Sequence, residues 1–218
     1  MGLVIHGLGS VLYKIIFKGP GGHSWGAFGL ANPHHAMGKA IDYFEIAASK
    51  FVANGPKTTY NFGRIGGGTS VNSIPFKTWM EVDMRSLSPE KLAGIEQVLL
   101  YQVKKALNDY NSGIKTGAKL SVNFEKIGER PSGTQKEDLA LIQKALAAIE
   151  YFKAIPSLGT GSTNSNIPIS LGVPSITIGR GGKGGNAHSP DEWWINENGA
   201  EAIKFALLLL LAEAGLSQ

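Results

Sequence analysis

The first candidate for catalysis is the pentapeptide Gly22–Gly26, Gly-His-Ser-Trp-Gly, which fits the G-x-S-x-G pattern of a hydrolase nucleophile. Asp83 and His188 follow it in the order of a catalytic triad. A nucleophile elbow needs a strand that runs directly into the first glycine and a helix that leaves directly after the second. A Gly-Pro-Gly stretch precedes the pentapeptide and a further loop follows it. The sequence therefore favours a loop hydroxyl over a serine nucleophile.

A second glycine-rich segment, Gly179–Asn186 (GRGGKGGN), follows an apolar stretch and contains Lys183. Backbone N–H groups and a lysine in such a loop can bind an anion. The segment lacks both the G-x-G-x-x-G pattern that runs into a helix and the Gly-Lys-Ser/Thr ending of nucleotide-binding loops. We therefore do not expect a nucleotide site there.

Histidines are the remaining candidates for metal binding. His34 and His35 are neighbours in the first turn of a predicted helix, where their side chains point about 100° apart and do not form a joint ligand set. His188, in GGNAHSPDEWW, is flanked by Asp191 and Glu192 on a loop after an apolar strand. An imidazole there suits a zinc ligand supported by a carboxylate. A catalytic zinc needs three protein ligands, however, and nothing else nearby supplies them.

The elements that would position these groups follow from hydrophobic periodicity. Residues 11–18 (VLYKIIFK) alternate as a half-buried strand, and an amphipathic helix follows from Asn32 and Pro33 to about Ala53. The pattern then predicts a strand at 58–65, a strand at 77–85, a helix opened by Ser88 and Pro89, and a strand at 120–124. The order β-α-β-β-α-β is the split βαβ pattern, with both helices on one face of four antiparallel strands. We expect a ferredoxin-like domain over 11–126.

Residues 127–218 differ in kind from this domain. The pattern predicts a helix at Lys136–Glu150, a Gly/Ser/Thr/Asn stretch at Ser157–Asn166, a strand at Val173–Ile178 and a last helix at Glu197–Ala214. Two short strands do not build a doubly wound sheet by themselves. We therefore interpret this region as the C-terminal part of a larger α/β domain, which makes the fold class α+β.

Composition excludes several classes of protein. Of 218 residues, 43% are hydrophobic and 17% charged, which argues against disorder. With no cysteine, thiolate metal sites and disulfides are impossible, and a reducing, cytoplasmic location fits. The net charge of +4 is not clustered beyond the pair Lys104 and Lys105, so we expect no nucleic-acid partner. The longest apolar run, Phe205–Ala212, is too short to span a bilayer, so we expect no membrane partner.

Several motifs together carry a resemblance. The segments GPGGHSWGAFGLANP, GRIGGGTSVNSIP, MEVDMRS and GSTNSNIPISLGVPSITIGRGGKGGNAHSPDEWW resemble the M20 family of zinc metallopeptidases, which includes carboxypeptidases, aminoacylases, tripeptidases and succinyl-diaminopimelate desuccinylase. The likeness covers nearly the whole chain. It implies an α/β catalytic domain that binds two zinc ions, and a βαββαβ lid domain that forms a homodimer and interrupts the catalytic domain. The implied substrate is a peptide or an N-acyl amino acid.

The resemblance also implies roles for individual residues. His23 would be the lid histidine that stabilises the oxyanion in the opposite subunit, and His188 would be the last zinc ligand. Asn72 would lie near the substrate, and Arg85 would support the lid or bind a substrate carboxylate. Their alternatives are a turn-capping asparagine and a cross-strand ion pair. The pocket segment would comprise Gly161, Ser162, Thr163 and Asn164.

Two departures from the family pattern matter for function. Asn164 stands where the family usually has an aspartate, which alters the charge or hydrogen bonding of the pocket. The family's other metal ligands and its general-base glutamate belong to an amino-terminal half that would precede Val4. We therefore expect at most weak zinc binding and no hydrolysis by this chain alone.

Two functions remain open from the sequence. The chain is either the lid and C-terminal catalytic part of a zinc-dependent peptidase or amidohydrolase, or a non-catalytic homodimerisation module. A monomer in solution would count against both.

Overall fold

The computed structural model describes residues 1–215 of the 218-residue chain. The chain forms two compact units. One is Gly9–Pro131, and the other combines Met1–Leu8 with the chain from Ser132 onward. The division expected from the sequence, 11–126 and 127–218, gave no strand to residues 2–7, whereas the structure has one there.

The strands are β1 (Gly2–Gly7), β2 (Gly9–Lys18), β3 (Gly22–His23), β4 (Thr58–Gly67), β5 (Ser73–Ile74), β6 (Lys77–Ser86), β7 (Ser121–Arg130), β8 (Ser157–Gly161), β9 (Thr177–Ile178), β10 (Lys183–Gly185) and β11 (Trp193–Ile195). The helices are α1 (Pro33–Val52), α2 (Pro89–Ser112), α3 (Ala140–Tyr151), α4 (Asn166–Ser170) and α5 (Gly199–Ala214).

The Gly9–Pro131 unit contains the predicted βαββαβ arrangement. Its strands form an antiparallel sheet in the order β4-β6-β2-β7. Alternate residues of the strands face α1 and α2, so one face of the sheet builds the core. The other face mixes charged side chains with the apolar Ile16 and Trp79. Buried members of this core include Tyr13, Ile15, Phe17, Phe44, Met80, Val82, Met84, Ile95 and Leu99. The α+β class is confirmed.

Both long helices begin where the sequence predicted. Asn32 Oδ1 accepts a hydrogen bond from the His34 amide at 2.9 Å, and Ser88 Oγ accepts one from the Lys91 amide at 3.1 Å. A proline follows each cap at the first helical position, where its missing N–H costs nothing. These caps fix the helix starts and therefore the length of the loops in front of them.

The second unit is built on a three-stranded sheet in the order β8-β1-β9. β1 pairs parallel with β8 and antiparallel with β9. Helices α3 and α5 cover it with a core that contains Leu3, Ile5, Ile142, Ala145, Ile149, Phe205 and Leu209. Within residues 1–215, no helix combines the length and the apolar character needed to cross a bilayer.

Three predicted boundaries in this unit are wrong. Helix α3 begins at Ala140 instead of Lys136, and α5 begins at Gly199, after Asn198 in the left-handed region. The strand expected at Val173–Ile178 is reduced to Thr177–Ile178. This strand is short because the Gln135 side chain forms hydrogen bonds with both backbone groups of Ser175. Gln135 Nε2 donates to the Ser175 oxygen at 2.6 Å, and Gln135 Oε1 accepts from the Ser175 amide at 2.9 Å. A side-chain amide therefore takes the backbone groups that a longer strand would use.

Phe44 tests the core of the Gly9–Pro131 unit. It is fully buried, and its ring meets those of Tyr60 and Phe62 edge-on at 5.2 and 5.6 Å. We expect Phe44→Ala to lower the free energy of unfolding of this unit by about 3–5 kcal/mol, because the truncation leaves a cavity. Unfolding would be followed by the methyl signals of the buried Met80 and Met84.

The control for Phe44 is Ile46→Ala on the exposed side of the same helix. It should change the free energy of unfolding by less than about 1 kcal/mol. Equal losses in the two variants would contradict the packing described above.

Candidate functional site

The predicted site residues fall into two groups, one in each unit. In the Gly9–Pro131 unit, the structure brings His23 and Asn72 together. Strands β3 and β5 pair antiparallel with His23 opposite Ser73, and the Ser24 amide donates to the Asn72 backbone oxygen at 2.8 Å. The two loops at this end of the domain are therefore joined by backbone hydrogen bonds. We call this end, residues 22–28 and 70–74, the lid tip.

His23 is exposed, and its ring is held by the loop that follows it. Nδ1 faces the backbone N–H groups of Trp25 and Gly26, at 3.3 and 3.4 Å, and accepts from both. The Ala27 amide binds the His23 backbone oxygen at 2.8 Å. A neutral imidazole that accepts at Nδ1 carries its proton on Nε2. The lid tip therefore presents an outward N–H donor, the kind of group that stabilises a developing oxyanion.

Asn72 is exposed, and both its side-chain oxygen and its backbone oxygen accept hydrogen bonds within the lid tip. Its side-chain oxygen accepts a hydrogen bond from the Ser70 hydroxyl at 2.5 Å, while its backbone oxygen binds Ser24. These contacts fit a residue that stabilises the turn, which is the alternative given above. A role near the substrate stays a prediction.

Arg85 does not lie at the lid tip. Strand β6 starts at Lys77, beside the tip, and Arg85 lies near the other end, roughly 26 Å away at about 3.3 Å per residue. Arg85 Nε donates to Asp83 Oδ2 at 2.8 Å, so the ion pair is made within one strand instead of across two. The other carboxylate oxygen of Asp83 is buried and has no hydrogen-bond partner in the described part of the chain.

The lid tip also carries apolar side chains that the sequence analysis did not single out. The exposed fractions of Trp25, Phe28 and Val71 are 85%, 92% and 103%. The backbone beneath them is ordered by turns, including a hydrogen bond of 3.2 Å from the Phe28 amide to the Trp25 oxygen. A cavity of about 430 Å³ lies beside them, lined mostly by Phe28, Leu30, Val71, Ile74, Tyr110 and Ile114. The sequence signal was a run of aromatic residues between glycines.

In the second unit, the predicted pocket segment Gly161–Asn164 begins at the carboxyl end of β8. Thr163 Oγ1 and Ser165 Oγ each lie 2.8 Å from Thr177 Oγ1, which joins the segment to β9. The fully buried Asn166 binds the Thr163 amide and the Leu8 oxygen, each at 2.9 Å. Asn164 itself is exposed. Thr177 and Asn166 therefore hold the segment in place. Asn166 was expected as the end of the pocket segment, whereas Thr177 was not predicted.

His188 lies on the loop between β10 and β11, exposed and with a left-handed backbone at φ 66°. A carboxylate was expected near the imidazole of His188. The carboxylate of Glu192 is close, but it accepts a hydrogen bond from the His188 backbone amide at 3.0 Å instead of binding the ring. Lys183, considered above for anion binding, forms an ion pair with Glu197 at 2.7 Å. The hydrogen bond to Glu197 raises the pKa of the Lys183 ammonium. The cation is therefore already paired.

The residues present do not fit a catalytic zinc site by themselves. Such a site needs three protein ligands. Within residues 1–215, no three His, Asp or Glu side chains cluster closely enough to hold a metal ion. His188 has the chemistry of a ligand, but the described part of the chain does not supply the others.

The ring orientation of His23 can be tested by NMR. We expect the neutral imidazole to carry its proton on Nε2, because Nδ1 accepts from two backbone amides. Long-range nitrogen–proton correlation spectra distinguish the two tautomers. His35, which is exposed and has no hydrogen-bond partner among the described contacts, serves as the control. A predominantly Nδ1-protonated His23 would contradict the geometry.

Several solved structures share the fold of this chain. AtUAH, solved with (S)-hydroxyglycine, has a TM-score of 0.74 at 19% identity over 99% of this chain and 49% of its own. A hydantoinase/carbamoylase-family amidase from Burkholderia vietnamiensis has 0.70 at 17% identity over 98% and 49%. Aminopeptidase PepT from Bacillus cereus has 0.65 at 20% identity over 98% and 54%. These identities show the fold alone, and the chain spans about half the length of each.

The family comparison concerns the first unit. A search of curated protein sequences finds no match to the chain. Residues 7–111, however, match the family model described as the peptidase dimerisation domain of the M20 type. This range includes β2 to α2 and the complete lid tip. Residues 7–111 of this chain are therefore similar to the peptidase dimerisation domain of the M20 family, in agreement with the resemblance carried by the motifs.

Proposed function

We propose that the chain is the lid and the C-terminal catalytic part of a metal-dependent peptidase or amidohydrolase, acting on a peptide or an N-acyl amino acid. The observation that carries this proposal is the ordered, outward Nε2–H of His23 at the exposed end of a peptidase dimerisation domain. The fold likeness to proteins named as an amidase and an aminopeptidase supports it.

In this proposal His23 acts on a second copy of the chain. Its Nε2–H donates to the carbonyl oxygen of the scissile amide and stabilises the negative charge that develops there during attack. The hydrogen bonds to Nδ1 restrict ring rotation, so the donor is oriented before the substrate arrives. The β3–β5 pairing holds the loop that carries it.

His188 would supply one ligand to the metal centre. Residues 1–215 of one copy bring together no three-ligand cluster, so the proposal needs further ligands beside His188. No step assigned here to His23 depends on which metal is bound.

The homodimer is best explained by pairing at an edge of the four-stranded sheet. Within the described residues, the four-stranded sheet ends at β4 on one side and at β7 on the other. Charged side chains protect a sheet edge from pairing with another strand. The charged residues of β7 are Glu125, Lys126, Glu129 and Arg130, whereas the only charged residue of β4 is Arg64. We therefore assign β4 to the contact with the second copy.

Matched isoleucines on the two edges test this assignment. Ile65 on β4 is 54% exposed and Ile127 on β7 is 49% exposed. We expect Ile65→Lys to raise the dimer dissociation constant by about tenfold or more, because the interface would bury a charge. Ile127→Lys should change it by less than about threefold. Sedimentation equilibrium measures both.

The opposite ranking of these two variants would assign the interface to β7. A wild-type chain that stays monomeric at every concentration would remove the dimer from the proposal.

The catalytic proposal is tested on the native gene product supplied with zinc, cobalt or manganese and a panel of dipeptides and N-acyl amino acids. We expect His23→Ala to lower kcat by about 100-fold or more, since one oxyanion donor contributes on this scale. Ile46→Ala, which shortens an exposed side chain of α1 that does not line the cavity beside the lid tip, should leave kcat unchanged.

A second function, a non-catalytic homodimerisation module, is favoured by the match of residues 7–111 to the model of a dimerisation domain. Absence of hydrolysis by the native product under all of these conditions, together with a stable dimer, would establish that function instead.

A further inference from the structure

The loop between β10 and β11 is held in a conformation that side chains other than glycine rarely adopt. Asn186 and His188 have φ values of 55° and 66°. In this region the Cβ atom of an L-residue crowds the neighbouring carbonyl oxygen, although asparagine and histidine adopt it more often than most other residues. A left-handed histidine therefore persists only where surrounding contacts determine it.

Glu192 supplies the contact that can hold this conformation. Its Oε2 accepts a hydrogen bond from the His188 backbone N–H at 3.0 Å. A bond to a carboxylate is stronger than one between neutral groups. Two turns keep the loop compact between these residues, because the Ser189 amide binds the Asn186 oxygen at 3.0 Å and the Glu192 amide binds the Ser189 oxygen at 3.1 Å.

The position of Glu192 is set by the strand that follows it. Trp193 begins β11 directly after Glu192 and lies opposite Gly185 in the β10–β11 pairing. The Trp193 indole packs directly on the Gly185 backbone, where a Cβ atom would lie 2.7 Å from Nε1. Glycine at 185 therefore permits the packing that fixes residue 193, and the carboxylate one residue earlier can reach back to His188.

The result is a histidine whose backbone is held while its ring is left available. The His188 side chain is exposed, and within the described residues its imidazole has no hydrogen-bond partner. Had the Glu192 carboxylate bound the ring, it would have occupied one of the two nitrogens. Binding to the backbone leaves both nitrogens accessible.

We propose that Glu192 is a positioning residue that locks His188 in the left-handed conformation and so keeps its imidazole exposed. The use of that imidazole rests on the proposed function. The locking itself concerns only the backbone of this chain, and it can be measured without any metal.

The experiment uses NMR of the whole chain without added metal. The readouts are the intraresidue amide-to-Hα cross-peak of His188, which reports positive φ, and the exchange rate of the His188 amide proton. The variants are Glu192→Ala, which removes the acceptor, and Glu192→Gln, which keeps a neutral one. The matched control is Asp191→Ala, which removes the neighbouring exposed carboxylate.

We expect Glu192→Ala to abolish the positive-φ signature and to speed exchange of the His188 amide by about tenfold or more. Glu192→Gln should retain the signature with an intermediate exchange rate, and Asp191→Ala should match the wild type. Unchanged methyl signals of the buried Ile5 and Ile149 would show that the unit that carries His188 remains folded.

A His188 that keeps its positive φ and slow exchange in Glu192→Ala would overturn the proposal. Equal loss in Asp191→Ala would also overturn it, because the effect would then be general to the loop. Neither result depends on metal binding or hydrolysis, so failure here is distinct from failure of the proposed function.

Discussion

The constraint on which the Gly9–Pro131 unit depends is that helices cover only one face of its sheet. Alternation along β2 and β6 places Ile15, Phe17, Met80 and Val82 against the helices, and that face is fully used by α1 and α2. The opposite face carries charged groups that neutralise one another, such as Glu81 with Lys14 and Arg64 at 3.2 and 3.1 Å. What remains for other molecules is the pair of sheet edges and the loops at the lid tip.

The lid tip shows how a small amount of pairing organises exposed chemistry. Strands β3 and β5 have two residues each, yet their pairing joins loops that are about fifty residues apart in sequence. His23 is then oriented by backbone amides from its own loop, without a carboxylate. In the second unit, Glu192 accepts a hydrogen bond from the backbone amide of His188, and the histidine ring stays exposed.

The sequence predicted the first unit well because its signals are local. Proline after Asn32 or Ser88, and period-two or period-3.6 runs, identify elements without knowledge of distant contacts. The second unit depends on distant contacts instead. Strand β1 exists through its parallel partner β8, some 150 residues away, and β9 is shortened by the side chain of Gln135. Local patterns carry neither kind of information.

For the candidate site, the residue types were easier to predict than their partners. The exposed positions of His23 and His188 fit the motifs, but the groups that hold them could not be derived from sequence. A carboxylate four residues after His188 was expected near the imidazole, and only the left-handed backbone explains why it reaches the amide instead. The length of β6 separates Arg85 from the lid tip, and the sequence motif alone does not show this distance.

Concentration-dependent hydrogen exchange of the native chain tests the central claim, that this domain pairs with a second copy through β4. Backbone amides of Thr58–Gly67 that point away from β6 should become protected as the protein concentration passes the dissociation constant, while those of Ser121–Arg130 should not change. Protection that arises at β7, or protection at neither edge in a sample shown to be dimeric, would contradict the account.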